Sequence, residues 1–210
     1  MKRLALILAL CLFLIPCLGA CGGGGEEPVT ADVILPIAAA LVEKSIVVNT
    51  ALIGDGVPTG NEAFGEYVYA DRAFEDQYNI RSVEDLLALT ASVYTTAIYD
   101  ILYSSAITKD GQKAPDYQNR AKTDTNPSGG LLVHKEREGW YKNTAHEYRY
   151  DTMTLVAATA SSATVTMTVV IKPEGYEPQE RELSLNLVRT ADGWRCDKLT
   201  YVAYDYSSVK

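Results

Sequence analysis

The chain has 210 residues, 27 of them acidic and 19 basic, and its formal net charge is −8 at pH 7. This acidity argues against nucleic-acid binding, which depends on lysine and arginine side chains that neutralise phosphates. It also argues against lying flat on an anionic bilayer, which attracts basic patches, and it makes a basic partner the natural electrostatic complement.

The N-terminus has the organisation of an export signal. Lys2 and Arg3 precede an apolar run over residues 4–18, which is shorter than the roughly 20 residues that a membrane-spanning helix needs. Residues 18–21 then read Leu-Gly-Ala-Cys, and this segment resembles the lipobox of bacterial lipoproteins. The resemblance implies that residues 1–20 are a signal peptide and that Cys21 carries the lipid. The protein would then be anchored in the cell membrane, on its extracytoplasmic face.

Removal of the signal peptide would leave one acidic domain on a short tether. The processed chain would carry 17 basic against 27 acidic residues, a net charge of −10. Residues 21–29 contain four consecutive glycines and are typical of a flexible tether. Residues 30–210 contain no internal repeat and no change of composition, and we predict a single domain there.

Four cysteines do not predict two disulfides in this chain. Cys11 and Cys17 lie in the signal peptide and Cys21 would be acylated, so Cys196 is the one thiol expected in the domain. Trp194 and Cys196 are two residues apart on a predicted strand and therefore share a face. We expect Cys196 to be a small buried residue of the core.

The first half of the domain carries helical patterns. A helix is expected from Thr30 or Asp32 to about Ile53. A second, short helix is expected over residues 61–72, and its inward residues would be Phe64, Val68 and Tyr69.

Two start signals follow. Ser82 and Asp85 form a capping box ahead of a third helix. Thr95 or Thr96 opens a fourth helix, and one face of it would hold Ile98, Ile101, Leu102 and Ser105. Residues 108–129 are polar and rich in glycine and proline, which indicates a long loop with one short strand over residues 117–121.

After Gly130 the hydrophobic period changes to two. Strands are predicted over residues 131–136, 140–142, 146–158, 164–171, 181–189 and 194–204. Short turns join most of them, which favours an antiparallel meander with one apolar face. Helices followed by strands predict an α+β fold, with N-terminal helices packed on a C-terminal curved antiparallel β-sheet.

The sequence contains few residues arranged for chemistry. It has no nucleophile elbow, and no glycine-rich phosphate loop follows a strand. His134 and His146 lie in predicted strands, and their spacing to Cys196 does not favour a metal site. We therefore predict no catalytic residue, no metal ligand and no cofactor.

Tyrosine is the one unusual component, with 14 residues against three phenylalanines. Tyrosine suits strands, and it also supplies rigid contact area at interfaces. Trp140 and Tyr141 follow a predicted turn over residues 137–139 and are the candidate partner-binding residues. Packing in the core is the alternative for both.

Two further resemblances concern the domain itself. Helices followed by a meander that ends in Gly193-Trp194-Arg195-Cys196-Asp197 resemble the cystatin-like cone of nuclear-transport-factor-two-like proteins. The segments Arg81-Ser82-Val83-Glu84-Asp85-Leu86, Val93-Tyr94-Thr95, Gly130-Leu131-Leu132-Val133 and Gly193-Trp194 resemble the IseA-type DL-endopeptidase inhibitors of Gram-positive bacteria. The second resemblance implies a secreted module that binds a cell-wall cysteine peptidase and blocks its catalytic cleft.

These observations predict a lipid-anchored, non-catalytic binding module that acts on a cell-wall or surface protein. Its partners would be the membrane, through the lipid, and that extracytoplasmic protein, with no nucleic acid. One alternative is a small enzyme of the cone-shaped fold, with a pocket between helices and sheet and Asp71, Tyr69 or a strand histidine as general base. Another is a receptor for glycans or peptides that uses exposed tyrosine and tryptophan.

Overall fold

A computed structural model describes residues 27–108, 114–121, 129–137 and 145–208. It shows an α+β fold with helices in the N-terminal half and strands dominating the C-terminal half, which confirms the predicted fold class. Cys21, Trp140 and Tyr141 lie outside the described residues, so lipidation and the two aromatic candidates stay predictions. Within the described residues no helix combines the length and the hydrophobicity needed to cross a membrane.

Four α-helices form, and all but the second lie where the sequence predicts a helix. They are α1 (Ala31–Leu52), α2 (Arg72–Tyr78), α3 (Val83–Val93) and α4 (Thr96–Tyr103), and a π-helical turn over Ser104–Thr108 continues α4. The N-cap half of the predicted capping box is confirmed, because Ser82 Oγ accepts from the amide of Asp85 at 3.0 Å. The reciprocal bond differs from the prediction. The carboxylate of Asp85 accepts from the amide of Arg81, one residue before the cap.

The helix predicted over residues 61–72 is wrong. A β-hairpin forms there instead, from β1 (Thr59–Phe64) and β2 (Tyr67–Ala70), and α2 starts only after it. Gly65 lies in the hairpin turn with φ +62°, in the left-handed region that glycine adopts without strain. Phe64 is 50% exposed rather than inward, whereas Val68 packs against the core as predicted.

The strands form two antiparallel sheets. The first has the order β1-β2-β4-β3, where β3 is Tyr117–Arg120 and β4 is Gly130–His134. The second has the order β5-β6-β7-β8 and confirms the predicted meander for the strands after residue 145. Its strands are β5 (Ala145–Ala158), β6 (Ser162–Lys172), β7 (Gln179–Thr190) and β8 (Gly193–Cys196). The strand predicted over residues 131–136 belongs to the first sheet instead, as β4, and the strand predicted over residues 140–142 lies outside the described residues.

The last strand ends eight residues before its predicted end at Tyr204. The outer edge of β8 is met by the segment between α3 and α4, where Tyr94 bridges to Cys196 and the Thr95 amide donates to the Cys196 carbonyl. Past Cys196 the chain leaves the sheet, and Thr200 becomes fully buried.

One continuous core joins the helices to both sheets. α1 and α3 pack on the second sheet, and α3 also contacts β3 of the first. The fully buried side chains of this core include Ile34, Leu86, Leu131, Val165, Leu185 and Cys196. The burial predicted for Cys196 is confirmed, whereas Ile101, predicted to face inward on α4, is 52% exposed.

Candidate functional site

A closed polar network occupies part of the interface between the helices and the second sheet. Asn49 of α1 donates to Thr200 Oγ1 at 2.8 Å, and the Tyr94 hydroxyl donates to Asn49 Oδ1 at 2.7 Å. The Thr200 hydroxyl donates to Ser45 Oγ at 2.5 Å. Burial raises the pKa of Tyr94 to about 12. These buried polar groups satisfy one another, and the network holds α1 against the chain that follows β8.

A second buried cluster closes the C-terminal end of α1. Arg137 donates to the carbonyl oxygens of Ala51 and Gly54 at 2.6 and 2.5 Å, and its Nε lies 3.6 Å from Asp116 Oδ2. The Tyr117 hydroxyl also donates to Ala51, and burial raises its pKa to about 12 against the opposing effect of the Arg137 charge. The cluster therefore ties the first sheet to the end of α1.

The structure does not gather the candidate acids and bases into one site. Asp71 is the N-cap of α2 and accepts from the amides of Ala73 and Phe74. The ring of Tyr69 lies 5.5 Å from the guanidinium of Arg120.

The two histidines belong to different sheets. His134 packs edge-on against Tyr67 of the first sheet, and His146 Nε2 lies 2.8 Å from the Val202 carbonyl oxygen. His146 on β5 and Cys196 on β8 are separated by two intervening strands, a distance of roughly 14 Å at the usual strand spacing. In the part of the chain that the structure describes, no group of three or more His, Cys, Asp or Glu is placed to hold a metal ion.

An open groove lies between α1 and α2 and encloses about 360 Å³. Its lining includes Ile46, Thr50, Pro58, Asp71, Phe74 and Tyr78. Ile46 and Tyr78 are 37% and 42% exposed, so apolar surface faces solvent at the groove. We call this feature the α1–α2 groove. Its walls are mainly apolar, and among the described residues that line it Asp71 alone carries a charge.

Three tyrosines form a second exposed feature at one end of the second sheet. Tyr176 lies in the turn between β6 and β7, and Tyr204 and Tyr206 lie in the C-terminal segment. Their ring centroids are 4.8 to 5.8 Å apart, so no space for a ligand remains between the rings. Tyr204 is buried beneath the other two, which are 47% and 51% exposed. We call these three residues the tyrosine surface.

The backbone beneath the tyrosine surface is fixed by several hydrogen bonds. The Tyr204 hydroxyl donates to the Glu177 carbonyl at 2.9 Å. The side-chain amide of Gln179 donates to the Asp205 carbonyl and accepts from the Asp205 amide. The C-terminal segment is therefore docked on the start of β7, and the exposed rings are presented from a defined backbone.

Negative charge surrounds the tyrosine surface. Glu174, Glu177 and Glu180 are exposed in or beside the β6–β7 turn. Hydrogen bonds from Ser207 hold the pKa of Asp205 below its ordinary value, with a smaller contribution from Arg181, whose Nη1 lies 3.6 Å away. The surface thus combines exposed aromatic rings with an excess of carboxylates.

The sequence does not predict this surface. Tyr176 and Tyr204 are separated by 28 positions, and the path of the C-terminal segment brings them together. The high tyrosine content was the available signal, but it does not distinguish a surface cluster from buried strand positions.

No protein-family model, no curated protein and no solved structure matches this chain. The resemblances to nuclear-transport-factor-two-like proteins and to IseA-type inhibitors therefore stay predictions.

Proposed function

We propose that this protein is a lipid-anchored binding module on the extracytoplasmic face of the membrane, and that it docks a cell-wall or surface protein. A cell-wall peptidase is the first partner to test, since blocking such an enzyme is what the resemblance to the IseA-type inhibitors implies. The anchor would be the lipid on Cys21, and residues 21–29 would serve as the tether.

The tyrosine surface is the observation that carries this proposal. Tyrosine is enriched at protein interfaces because one rigid side chain supplies a large apolar face and a hydroxyl at a low entropy cost. Tyr176 and Tyr206 are both about half exposed and rest on the buried ring of Tyr204. Such preorganised rings lose little conformational freedom when a partner covers them.

The positions of the candidate bases favour binding over the enzyme alternative. Asp71 serves as a helix cap, and both histidines contact neighbouring groups in separate sheets. General base catalysis needs a base placed to reach a substrate proton, usually beside a partner that orients it. Asp71, His134 and His146 form no such pair with one another.

Binding can be tested with the processed full chain in lipid nanodiscs and a panel of purified cell-wall peptidases. Biolayer interferometry would measure affinity, and residual peptidase activity would measure occlusion. The double variant Tyr176→Ala/Tyr206→Ala removes both exposed rings. Tyr150→Ala is the matched control, because Tyr150 on β5 is similarly exposed, at 41%, and lies outside the tyrosine surface.

We expect at least one peptidase to bind and the double variant to weaken binding by about tenfold or more, as for interface hot spots. The control should bind like the parent chain. Failure of the whole panel to bind, or equal loss in the control, would contradict the proposal. Circular dichroism would verify that the variants keep their fold.

The tyrosine surface also favours the glycan-receptor alternative, because aromatic rings beside carboxylates are one way to hold a sugar. Protein-free peptidoglycan, presented to the same three chains, separates the two functions. Binding to the glycan that is lost in the double variant would support the receptor and count against a protein partner.

Anchoring is tested separately by mass spectrometry of the protein extracted from membranes. We expect an N-terminus at residue 21 with an acylated cysteine, and Cys21→Ser should abolish both acylation and membrane retention. An intact and unacylated N-terminus would overturn the anchor.

A further inference from the structure

We propose that the α1–α2 groove is a second binding site, and that it accepts a lysine or arginine side chain from a partner protein. The apolar walls would contact the methylene stem, and the carboxylate of Asp71 would pair with the charged head. This site is distinct from the tyrosine surface and does not depend on it.

Asp71 is the first observation behind the proposal. Both of its hydrogen bonds, from the Ala73 and Phe74 amides, end on Oδ1. Within the described residues Oδ2 accepts no hydrogen bond, and no basic side chain forms an ion pair with Asp71. The neighbouring Arg72 is directed elsewhere, to Glu75 and Asp76. Asp71 is half-buried and lines the groove, and one of its carboxylate oxygens is available to a ligand.

The size and lining of the groove point to the class of ligand. Its volume of about 360 Å³ is at the small end of the range for small-molecule pockets, which suits a side chain better than a large ligand. Phe74 is buried in the wall, and Ile46 and Tyr78 leave apolar surface exposed. Lysine and arginine combine a long apolar stem with a charged end, and they commonly bury the stem along apolar surface.

Charge selects a cation over the other possible occupants. An anion would be repelled by Asp71 and by the whole chain, whose net charge is −8. A purely apolar side chain would cover Asp71 without offering it a partner, and desolvating an unpaired carboxylate is costly. The Tyr78 ring, 42% exposed, adds a face on which a cation can rest.

The variant Asp71→Asn tests the effect of the negative charge without disturbing the helix cap. Asparagine caps helices about as well as aspartate, so α2 should keep its N-terminus while the groove loses its negative charge. Asp192→Asn is the matched control, because it removes one charge from the exposed turn between β7 and β8. Ala73→Leu narrows the groove at an exposed helix position and tests where the ligand lies.

The probes are three capped tripeptides that differ only in the central residue, which is lysine, arginine or norleucine. Norleucine keeps an apolar stem and lacks the charge. Saturation-transfer NMR on the full chain in nanodiscs would give the affinity for each peptide. We expect the lysine and arginine peptides to bind, and Asp71→Asn to weaken them by about fivefold, the upper range for a solvent-accessible ion pair. Ala73→Leu should weaken binding as well, and Asp192→Asn should not.

Several results would overturn the proposal. These are absence of binding by the basic peptides, equal or tighter binding of norleucine, or equal effects of Asp71→Asn and Asp192→Asn. Tyr176→Ala/Tyr206→Ala should leave peptide binding unchanged, and a loss in that variant would also count against a separate site. Failure at the groove would leave the tyrosine surface and its partner unaffected.

Discussion

Arg137 and Tyr117 donate to the same backbone atom, the carbonyl oxygen of Ala51, each at 2.6 Å. Carbonyls in the last turn of a helix have no partner within the helix, so they must be satisfied from outside. The Asn49 carbonyl in this turn accepts from the amides of Ile53 and Gly54. The Ala51 carbonyl accepts from the two distant side chains instead. The guanidinium also places positive charge at the helix C-terminus, where the helix dipole favours it.

The first prediction is that Arg137→Ala lowers the free energy of unfolding by about 3–5 kcal/mol. Its removal leaves the Asp116 carboxylate buried without this cation, and the Ala51 and Gly54 carbonyls each lose a donor. Urea unfolding followed by circular dichroism would measure the change. Arg189→Ala, an exposed position on β7, should stay within about 0.5 kcal/mol of the parent. A loss below about 1 kcal/mol for Arg137→Ala would contradict this role.

The second prediction concerns the polar network around Tyr94. Tyr94→Phe deletes the hydroxyl that donates to Asn49 Oδ1 at 2.7 Å and that lies 3.0 Å from Thr200 Oγ1. We expect a destabilisation of about 1–3 kcal/mol, because buried partners lose a hydrogen bond while the ring stays in place. The control is Tyr150→Phe at an exposed ring, which should be neutral. Equal unfolding midpoints for the two variants would show that the network adds no stability.

Periodicity predicted most of the fold because most elements have one buried face. β6 alternates between buried and half-buried residues from Ala163 to Val169. For α3, both the N-cap residue and the helical spacing of the buried residues can be recognised in the sequence. The sequence does not predict the first hairpin, because Phe64 and Val68 are four residues apart, a spacing that fits a helix as well as two short strands. Local spacing does not decide between them when each strand has only four to six residues.

The candidate sites were harder to predict, because they depend on contacts between distant segments. Asp71 is one of several candidate general bases under the enzyme alternative, together with Tyr69 and the strand histidines, whereas the structure uses one of its oxygens to cap α2. It lines the same groove as Ile46 and Thr50 of α1, and the sequence does not encode this juxtaposition locally. For the same reason the sequence predicts only a turn at Arg137, although in the structure its side chain donates to carbonyl oxygens more than 80 positions earlier in the chain.

The third prediction is a loss of stability at alkaline pH. Burial raises the pKa of Tyr94 and of Tyr117 from 10.0 to about 12. Below pH 10 the hydroxyls are protonated in both the folded and the unfolded chain. Between pH 10 and 12 only the unfolded chain releases these protons, so stability falls as pH rises. Each tyrosine should account for about 2–3 kcal/mol across that window.

Urea unfolding at pH 8, 10 and 11 would measure this dependence, and tyrosinate absorbance would follow the titration. The variant Tyr94→Phe/Tyr117→Phe should be less stable at pH 8 and should show a shallower decline above pH 10. A parent chain that is equally stable at pH 8 and pH 11 would contradict the predicted burial of these hydroxyls.

The fourth prediction is that Cys196 reacts with thiol reagents only when the domain opens. The side chain is 1% exposed, and burial raises its pKa to about 12, so almost none of the reactive thiolate is present at pH 8. Iodoacetamide labelling, read at Cys196 by peptide mass spectrometry, should be at least about a thousandfold slower in native buffer than in urea, because the unfolded population is small. Ser161→Cys provides an exposed reference thiol in the turn between β5 and β6. If Cys196 and that reference were labelled at comparable rates in native buffer, the prediction would be contradicted. That result would show that β8 and the bridge from Tyr94 to Cys196 open far more readily than the burial of Cys196 implies.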